Sequence, residues 1–363
     1  MKVYKIGCFV LYLHLYCTVL LCAQETKKAE IQLGGFAEVY YQYDFNNPIN
    51  NSRPAFIYSH NRNNEFNINL AFVKASYKND LLRSNIALAT GTYMNANYAD
   101  EPDLLKNIYE ANLGFKISKS KNLWVDIGVF PSHIGFESAM VSENWTLTRS
   151  LAAENSPYFE TGAKISYTST NGKWLLSGLI LNGWQRIQRV NGNSTPAIGH
   201  QLSFTPHEKL TINSSSFIGN DKPDSLRCLR YFHNLYAIYK INEQTAIRAG
   251  FDIGAEQKNK GSRQHFFWYT PVLIAKHNIS NRWSIAARTE FYRDKYNVKI
   301  ATGLSNGLST FGYSINSDLK ILDNLLWRTE IRQLNNKNEL FASREKTLNR
   351  NNLTAVTSFS ISF

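Results

Sequence analysis

Beyond residue 23 the sequence has no long apolar run, and throughout it has few cysteines and few charged residues. The 363 residues include 4 Cys, and 19 % of them are charged while 13 % are aromatic. A low charge density combined with many aromatic residues excludes intrinsic disorder. The scarcity of cysteine excludes a scaffold held together by disulfides. The length still allows two or three ordinary domains or one large barrel.

The single long apolar run lies at the start of the chain, from Phe9 to Ala23. It is shorter than the ~20 residues that a membrane-spanning helix needs. Two lysines precede the run and a small residue ends it, which is the organisation of a secretory signal peptide. We therefore predict that residues 1–23 are a signal peptide, cleaved after Ala23. The remaining residues 24–363 carry a formal charge of +10 and one cysteine.

Two alternatives for this first segment stay open. A lipoprotein anchored at Cys22 is disfavoured by Leu21, because a lipobox has a small residue there. The other alternative is an anchor that is never cleaved. The one cysteine of the mature chain, Cys228, has no partner for an internal disulfide, and we interpret it as a small residue that fills a gap.

After residue 24 the sequence alternates between apolar and polar residues with a period of two, which is typical of β-strands. The last segment, LTAVTSFSISF, is the clearest: Leu353, Phe359 and Ile361 share one face, and serines and threonines fill the other. A soluble sandwich also alternates, but its strands average only about five or six residues. Here the segments are longer, and charged residues recur on one face of many of them. This pattern favours a water-filled lumen with the apolar face turned to lipid.

We predict an all-β fold, a transmembrane antiparallel β-barrel of about sixteen strands, with fourteen to eighteen as the range. The predicted strands lie near 30–45, 64–78, 82–94, 106–118, 121–130, 158–170, 173–183, 197–206, 209–219, 229–241, 244–257, 265–279, 282–294, 308–320, 323–333 and 351–363. The connections alternate as well, because short turns follow the even strands and long polar loops follow the odd ones. Bacterial outer-membrane barrels have short periplasmic turns and long external loops. Both ends of the barrel chain are therefore expected on the periplasmic side.

The third long connection differs from the others because it is rich in apolar residues as well as charges. It spans residues 131–157 and includes Trp145, Leu147 and Leu151. An ordered loop of this length is usually functional. We predict that it folds into the lumen and narrows it; the alternative is a surface loop packed on its neighbours.

The predicted pore-lining and constriction residues are the charged side chains of this loop and of the inward strand faces. They are Glu137, Glu143, Arg149, Glu154, Asp126, Glu160, Arg248, Asp252, Arg288, Glu290, Arg328, Glu330 and Arg332. Charges that line a lumen select permeating ions of opposite sign. Basic strand residues facing an acidic loop would set a field across the pore. The alternative is that these groups form ion pairs that only stiffen the wall.

Several blocks of the sequence resemble the β-barrel porin-2, or OmpL-like, family. They include GGFAEVYYQYDFNNP (34–48), YSHNRNNEFNINLAFVKASY (58–77), PSHIGFESA and NWTLTRSLAAENSPYFETGAK. The resemblance implies an outer-membrane barrel that lets small hydrophilic solutes pass. Outer-membrane lipids and the barrel-assembly machinery are the partners expected of such a barrel. Phe363 closes a strand with Phe359 and Ile361 on the same face, and we predict that it is part of the assembly signal. Analogy with porins adds a homotrimer, and places the 131–157 loop where sixteen-stranded porins have their constriction loop.

We predict no catalytic residues, no metal site and no cofactor. His133 and Glu137 are four residues apart, but no second histidine lies nearby to complete a metal site. A lipase-like triad needs a serine beside a histidine, and we expect no serine beside His233 or His265. Lysine and arginine are dispersed along the chain rather than clustered, so we predict that the protein does not bind nucleic acid. The rival to a pore is a plugged barrel that serves as a surface-binding, adhesion or structural protein of the outer membrane.

Overall fold

The computed structural model describes residues 29–363; the predicted signal peptide, its cleavage site and the alternatives for that segment lie outside the described residues. Strands dominate the chain. They are β1 (Glu30–Asp44), β2 (Phe66–Lys78), β3 (Leu82–Thr90), β4 (Ile108–Lys116), β5 (Asn122–Pro131), β6 (Phe159–Thr168), β7 (Trp174–Leu181), β8 (Ala197–His207), β9 (Leu210–Gly219), β10 (Arg230–Lys240), β11 (Thr245–Gln257), β12 (His265–Asn278), β13 (Trp283–Asp294), β14 (Leu308–Leu322), β15 (Leu325–Asn336), β16 (Phe341–Ala342), β17 (Leu348–Asn349) and β18 (Asn351–Ser362).

Sixteen of these strands, all but β16 and β17, form one closed antiparallel barrel. Each strand pairs with its neighbours in sequence, and β1 closes the barrel against β18 from Phe36 opposite Ser362 to Asp44 opposite Thr354. The predicted all-β barrel and its strand count are confirmed. The two-residue strands β16 and β17 pair with each other within the last long loop. With the short turns assigned to the periplasm, the long loops define the extracellular end.

The outward faces of the strands are apolar, as lipid contact requires. Trp174 stacks on Phe204 with ring centroids 4.0 Å apart, and Trp327 stacks on Phe359 at 5.9 Å. Together with Trp283, these residues lie close to the periplasmic turns and face outward. Amphipathic aromatic rings favour the membrane–water interface, so these aromatic residues mark the periplasmic edge of the apolar band.

The inward faces carry the opposite chemistry, because successive strand residues point to opposite sides. On β13, Arg288, Glu290 and Asp294 are buried in the interior, while Ile285 and Phe291 are turned outward. The same pattern continues across β14 and β15 in register. Buried charges at these densities require partners, and the loops that fold into the barrel supply them.

Helical segments are short and lie in the connections. They are the α-helices Thr92–Asn97 and Leu151–Glu154 and the 3₁₀-helices Asp103–Asn107, Val141–Glu143 and Asp224–Leu226. None of the helices between residues 29 and 363 is long and apolar enough to cross a membrane.

The predicted strand 82–94 is too long by four residues, because β3 ends at Thr90 and a helix follows. Gly91 ends the strand with φ of +124°, and a Cβ atom there would lie 2.4 Å from the carbonyl oxygen of Asn69. Only glycine fits this conformation and this close approach. The residues Tyr93 and Met94 are buried on the helix, which explains why their apolar character resembled a continued strand.

The end of the chain is held in the barrel wall. The backbone of Phe363 donates to Gly35 O at 3.0 Å and accepts from Gly35 N at 2.8 Å, and its side chain is exposed. Cys228 is buried and its thiol is free. Its Sγ donates to Leu226 O at 3.4 Å, which fits a local gap-filling role.

Candidate functional site in the barrel lumen

The candidate site is the layer in which the third long loop meets the inner wall. This segment leaves β5 after Pro131, crosses the interior and returns to β6 at Phe159. Its short helix begins after Ser150, whose Oγ accepts from Ala153 N at 3.2 Å as an N-cap. Leu147 and Leu151 are completely buried. The apolar residues that distinguish this loop are therefore packed inside the barrel.

Three arginines of the facing wall, on β13 and β15, pair with carboxylates of the strands β13 to β15. Arg288 Nη2 lies 2.8 Å from Glu330 Oε1, and Arg332 Nη2 lies 2.6 Å from Glu290 Oε1. The third, Arg328, binds Asp318 with Nε and Nη2 at 2.7 and 2.8 Å. All three guanidinium groups are almost inaccessible to solvent. Buried pairs of this kind are stable only when their remaining hydrogen-bonding capacity is satisfied.

The loop backbone satisfies much of that capacity. Thr148 N donates to Glu330 at 2.5 Å, and Leu151 N donates to Glu290 at 2.6 Å. In the other direction, Arg288 donates to Thr148 O at 2.6 Å, and Arg328 donates to Asn144 O at 3.0 Å and to Val141 O. Wall charges and loop amides therefore form one network. The strand register brings the charged side chains together, and the loop backbone supplies their remaining hydrogen-bond partners.

The charged residues of the loop itself have other partners. Glu137 accepts from the Ser150 amide at 3.2 Å and from its hydroxyl, and burial raises the pKa of this carboxyl. Glu154 accepts from Tyr58 N at 2.8 Å and so binds the first long loop. Glu143 is exposed and belongs to no ion pair in the described part of the chain.

Arg149 holds the loop's own fold rather than the facing wall. It donates to Ser138 O at 2.9 Å and to Ala139 O, and its guanidinium lies 4.8 and 4.6 Å from the ring centroids of Tyr93 and Tyr158. Cation–π contacts of this kind add to the hydrogen bonds when the site is desolvated.

The remaining predicted residues lie on other parts of the inner wall. Arg248 stacks over the Trp145 ring at 4.0 Å, and Asp252 accepts from Asn234 Nδ2 at 2.5 Å. Asp126 binds Arg83 across the barrel from the loop-covered wall. Glu160 is fully buried, and neither of its carboxylate oxygens has a hydrogen-bond partner among residues 29–363.

Sequence reasoning missed a second inward-folding loop, the first long connection. His60 Nε2 lies 2.8 Å from Glu38 Oε1, and both side chains are fully buried. The segment PAFI (54–57) in that loop was the available signal, because Phe56 and Ile57 are buried in the main core. It also missed Lys74 and Glu110, which pair at 2.5 Å on the wall of β2 and β4.

Cavities open at both ends of this layer. A periplasmic cavity of about 850 Å³ is bounded by the turns near Asn281 and Asp323, and loop residues Ser142 and Asn144 lie at its inner end. On the extracellular side, one cavity of about 620 Å³ adjoins the first loop, and another of about 440 Å³ adjoins Trp184. The 131–157 loop reaches cavities at both ends, because Ser142 and Asn144 line the periplasmic cavity and Glu154 lines the cavity beside Trp184.

One expectation about the outer wall was wrong, because a serine does lie beside His233. Ser214 Oγ is 2.9 Å from His233 Nε2 and 3.3 Å from His200 Nε2, and Ser216 Oγ contacts His200 Nδ1 at 2.5 Å. Adjacent strands place these residues side by side on the lipid-facing side. Neither histidine has a carboxylate partner in the described chain, so the orienting member of a triad is lacking there.

The described residues contain no group of three or more His, Cys, Asp or Glu side chains arranged to hold a metal ion. The fold and site together define a closed sixteen-stranded barrel with an apolar exterior, a charged interior and an inward-folded loop. This is the class of outer-membrane β-barrels.

The chain belongs to the family described as "Putative beta-barrel porin-2, OmpL-like", whose model matches residues 30–363. The resemblance seen in the sequence is thereby confirmed, and the protein is placed in the bacterial outer membrane. No curated protein matches the chain.

Solved structures share the fold. The anion-selective porin from Comamonas acidovorans superposes with a TM-score of 0.62 and 9 % identity, covering 93 % of this chain and 100 % of that one. The complex of Salmonella typhi OmpF with daunomycin gives 0.62 and 9 %, with the same coverage. OmpT of Vibrio cholerae, in a trimer form, gives 0.60 and 8 %, again covering 93 % and 100 %. At these identities the likeness extends to the fold alone.

Proposed function

We propose that the protein is an outer-membrane channel, rather than an enzyme, through which small hydrophilic solutes diffuse passively. The observation that carries this proposal is a closed wall of sixteen strands with charged inward faces and cavities at both ends of the lumen. A polar lumen inside an apolar exterior is the construction that lets water-soluble molecules cross a bilayer. The porin family assignment supports the same function.

The constriction is proposed to be the loop of residues 131–157, held by the pairs of Arg288, Arg328 and Arg332. Its hydrogen bonds to Glu290 and Glu330 fix the loop against one side of the lumen. Solutes are then sieved by the space left open and by the charges that remain exposed to lumen water. A signal peptide over residues 1–23 delivers the chain for export.

Its partners follow from the same proposal. The apolar outer band contacts outer-membrane lipids, and Phe363, at the end of the last strand, is the residue proposed to be read by the barrel-assembly machinery. A homotrimer is proposed by analogy with porins, and one structure that shares the fold is described as a trimer form.

A plugged barrel is the second candidate, and the burial of the network favours it. Arg149, Arg328 and Glu330 are 0 % exposed, although open-channel constriction residues contact water. In that case the protein serves as a surface-binding, adhesion or structural component, and its outer loops form the surface that contacts the ligand or partner.

Single-channel conductance in planar bilayers separates the two candidates. The protein is measured intact and with residues 138–152 deleted, after heat-modifiable gel mobility has shown that each barrel is folded. Conductance steps that grow on deletion support a constricted pore. Current that appears only after deletion supports the plugged barrel. Silence in both folded proteins contradicts the channel. Deletion of the exposed residues 259–261 in another loop is the matched control and leaves conductance unchanged.

A further inference from the structure

Arg53, in the first long loop, is a buried cation without a counter-ion. It is 5 % exposed, and the one hydrogen bond of its side chain within the described residues joins Nη2 to Asn352 Oδ1 at 3.4 Å. Its Nε and Nη1 have no acceptor among residues 29–363, and none of the ion pairs in that range includes it. An unpaired buried charge is costly, and proteins normally pair or neutralise it.

A second guanidinium with unused donors lies nearby. Asn352 and Thr354 are successive inward-facing residues of β18, and Arg332 lies opposite Thr354 in the β15–β18 register. Arg332 uses Nη2 to bind Glu290, but its Nε and Nη1 have no acceptor in the described chain. Burial, together with the charge of Arg332, lowers the pKa of Arg53 to about 10, so Arg53 stays protonated at neutral pH.

The carboxylates of this neighbourhood are bound to other groups. Both oxygens of Asp44 accept from Asn352 Nδ2 at 2.8 Å. Glu290 accepts from Arg332 and from the Leu151 amide, and Glu154 accepts from two amides of the first loop. None of them comes within ion-pair distance of Arg53.

The place is reached from the extracellular side. Arg53 and Asn352 both line the cavity of about 620 Å³, together with Asp44 and Thr92. Gln42, which precedes Asp44 by two residues on β1, is fully buried, and neither polar atom of its side-chain amide has a hydrogen-bond partner in the described residues. The guanidinium groups of Arg53 and Arg332 and the amide of Gln42 thus all keep N–H donors without an acceptor in the described residues. Of the three, Arg53 is the one that lines the cavity.

We infer that this cavity binds a small oxyanion, a phosphate or carboxylate group, at the guanidinium of Arg53, with Arg332 as a second, fully buried cation nearby. The planar guanidinium fork matches the oxygen spacing of both groups and binds them more strongly than it binds neutral acceptors. The consequence for transport rests on the proposed channel function: anionic solutes would be the class that is held at the extracellular entrance before crossing the constriction.

Binding is measured first, without reference to conduction. Inorganic phosphate is titrated into the detergent-solubilised mature barrel by calorimetry in low-chloride buffer. We expect saturable binding by the wild type and binding weaker by roughly tenfold or more in Arg53→Gln, because a charged hydrogen-bond donor is lost. Arg53→Lys keeps the charge and retains part of the affinity. Arg263→Gln, an exposed arginine of another loop, is the control and binds as wild type does.

Acetate then separates the two anion classes. Displacement of phosphate by acetate assigns the site to carboxylates as well, and failure to displace restricts it to phosphate. Absence of saturable phosphate binding by the wild type overturns the inference, as does equal binding by folded Arg53→Gln. The wild-type titration decides the matter even if the glutamine variant does not fold.

A single-channel current measurement tests the binding site separately from the proposed channel function. Phosphate on the extracellular side should reduce single-channel KCl current through the wild type, and Arg53→Gln should lose this block. Conduction without phosphate binding overturns the site and leaves the channel. Binding without any conduction overturns the channel and leaves the site.

Discussion

Two arginines on different parts of the barrel wall, β3 and β15, make the same bond in different surroundings. Arg83 binds Asp126 through Nε and Nη2 at 2.7 and 2.6 Å, and Arg328 binds Asp318 through the same atoms at 2.7 and 2.8 Å. Both lie on inward faces, close to a periplasmic turn. Yet the Arg83 side chain is 33 % exposed and that of Arg328 is 0 % exposed.

The difference comes from the third long loop. It covers Arg328 with the carbonyl oxygens of Val141 and Asn144, whereas Arg83 has the Trp124 ring on one side and lumen solvent on the other. Water screens the Arg83 pair, and the loop excludes water from the Arg328 pair. The same strand pattern thus produces a partly solvated ion pair at Arg83 and a buried ion pair at Arg328. We call the Arg328–Asp318 pair with its loop contacts the clamp.

The largest expected effect is therefore on stability, at the clamp. Arg328→Gln leaves Asp318 buried without its cation, and we expect a loss of about 3–5 kcal/mol in the free energy of unfolding. The matched change Arg83→Gln should cost at most about 1 kcal/mol, because its pair is partly solvated. Guanidinium unfolding of the refolded barrels in detergent, followed by tryptophan fluorescence, measures both. Equal losses in the two variants would contradict the assignment of different roles.

The second expected effect is on ion selectivity. Here the solvent-exposed cations should matter more than the buried ones. Exposed charges act on permeating ions, so exchanging Arg83 and Lys74 for glutamine should shift the permeability ratio toward cations, on the order of twofold. Arg288→Gln should shift it less, because that group is buried and paired. Reversal potentials in a KCl gradient measure the ratio.

Salt concentration provides the check on this second prediction. The Debye length falls from about 10 Å at 0.1 M to about 3 Å at 1 M, so the shift should shrink at high salt. A shift that is larger for Arg288→Gln than for the exposed pair, or that persists at 1 M, would contradict the prediction.

The barrel itself was predictable because its signal is local. A strand alternates with a period of two whatever its neighbours are, so all sixteen strands were located to within a few residues. The error at residues 91–94 also has a local cause, since a glycine with positive φ redirects an apolar stretch into a helix. Alternation likewise placed Arg288, Arg328 and Arg332 on the inner face.

The site was predictable only in part, because its pairs depend on contacts between distant segments. Nothing in the sequence distinguishes Arg328 from Arg83 until the loop is seen to cover one of them. Thr148 and Glu330, 182 residues apart, meet only through the closed barrel and the inward path of the loop. The inward fold of the first loop, and with it the burial of Arg53, was missed for the same reason.

The smallest expected effect lies at the extracellular mouth, where a third cation is neither clamped nor solvated. Lys299, in the loop between β13 and β14, is half-buried, with Nζ 4.5 Å from the Trp184 ring centroid. Burial, and then the charge of Arg230, lowers the pKa of its ammonium group to about 7, although Asp221, Glu256 and Asp294 also face it. Lys299 should therefore lose its positive charge as the pH rises through neutrality.

The sign of the effect follows directly. Between pH 6 and pH 8 the mouth loses positive charge, so anion permeability relative to cation permeability should fall modestly in the wild type. Lys299→Met should remove this pH dependence, and Lys299→Arg should hold the ratio at its pH 6 value, because arginine stays charged. The cavity that includes Lys299 is lined by no histidine among the described residues, so no other side chain there ordinarily titrates in this range. A pH dependence that survives unchanged in Lys299→Met would assign the titration to a group elsewhere in the lumen.

The free energy of unfolding should also depend on the protonation of Lys299. Its folded pKa lies below its unfolded value, so the unfolded chain binds more protons above pH 7 and the folded state gains stability as the pH rises.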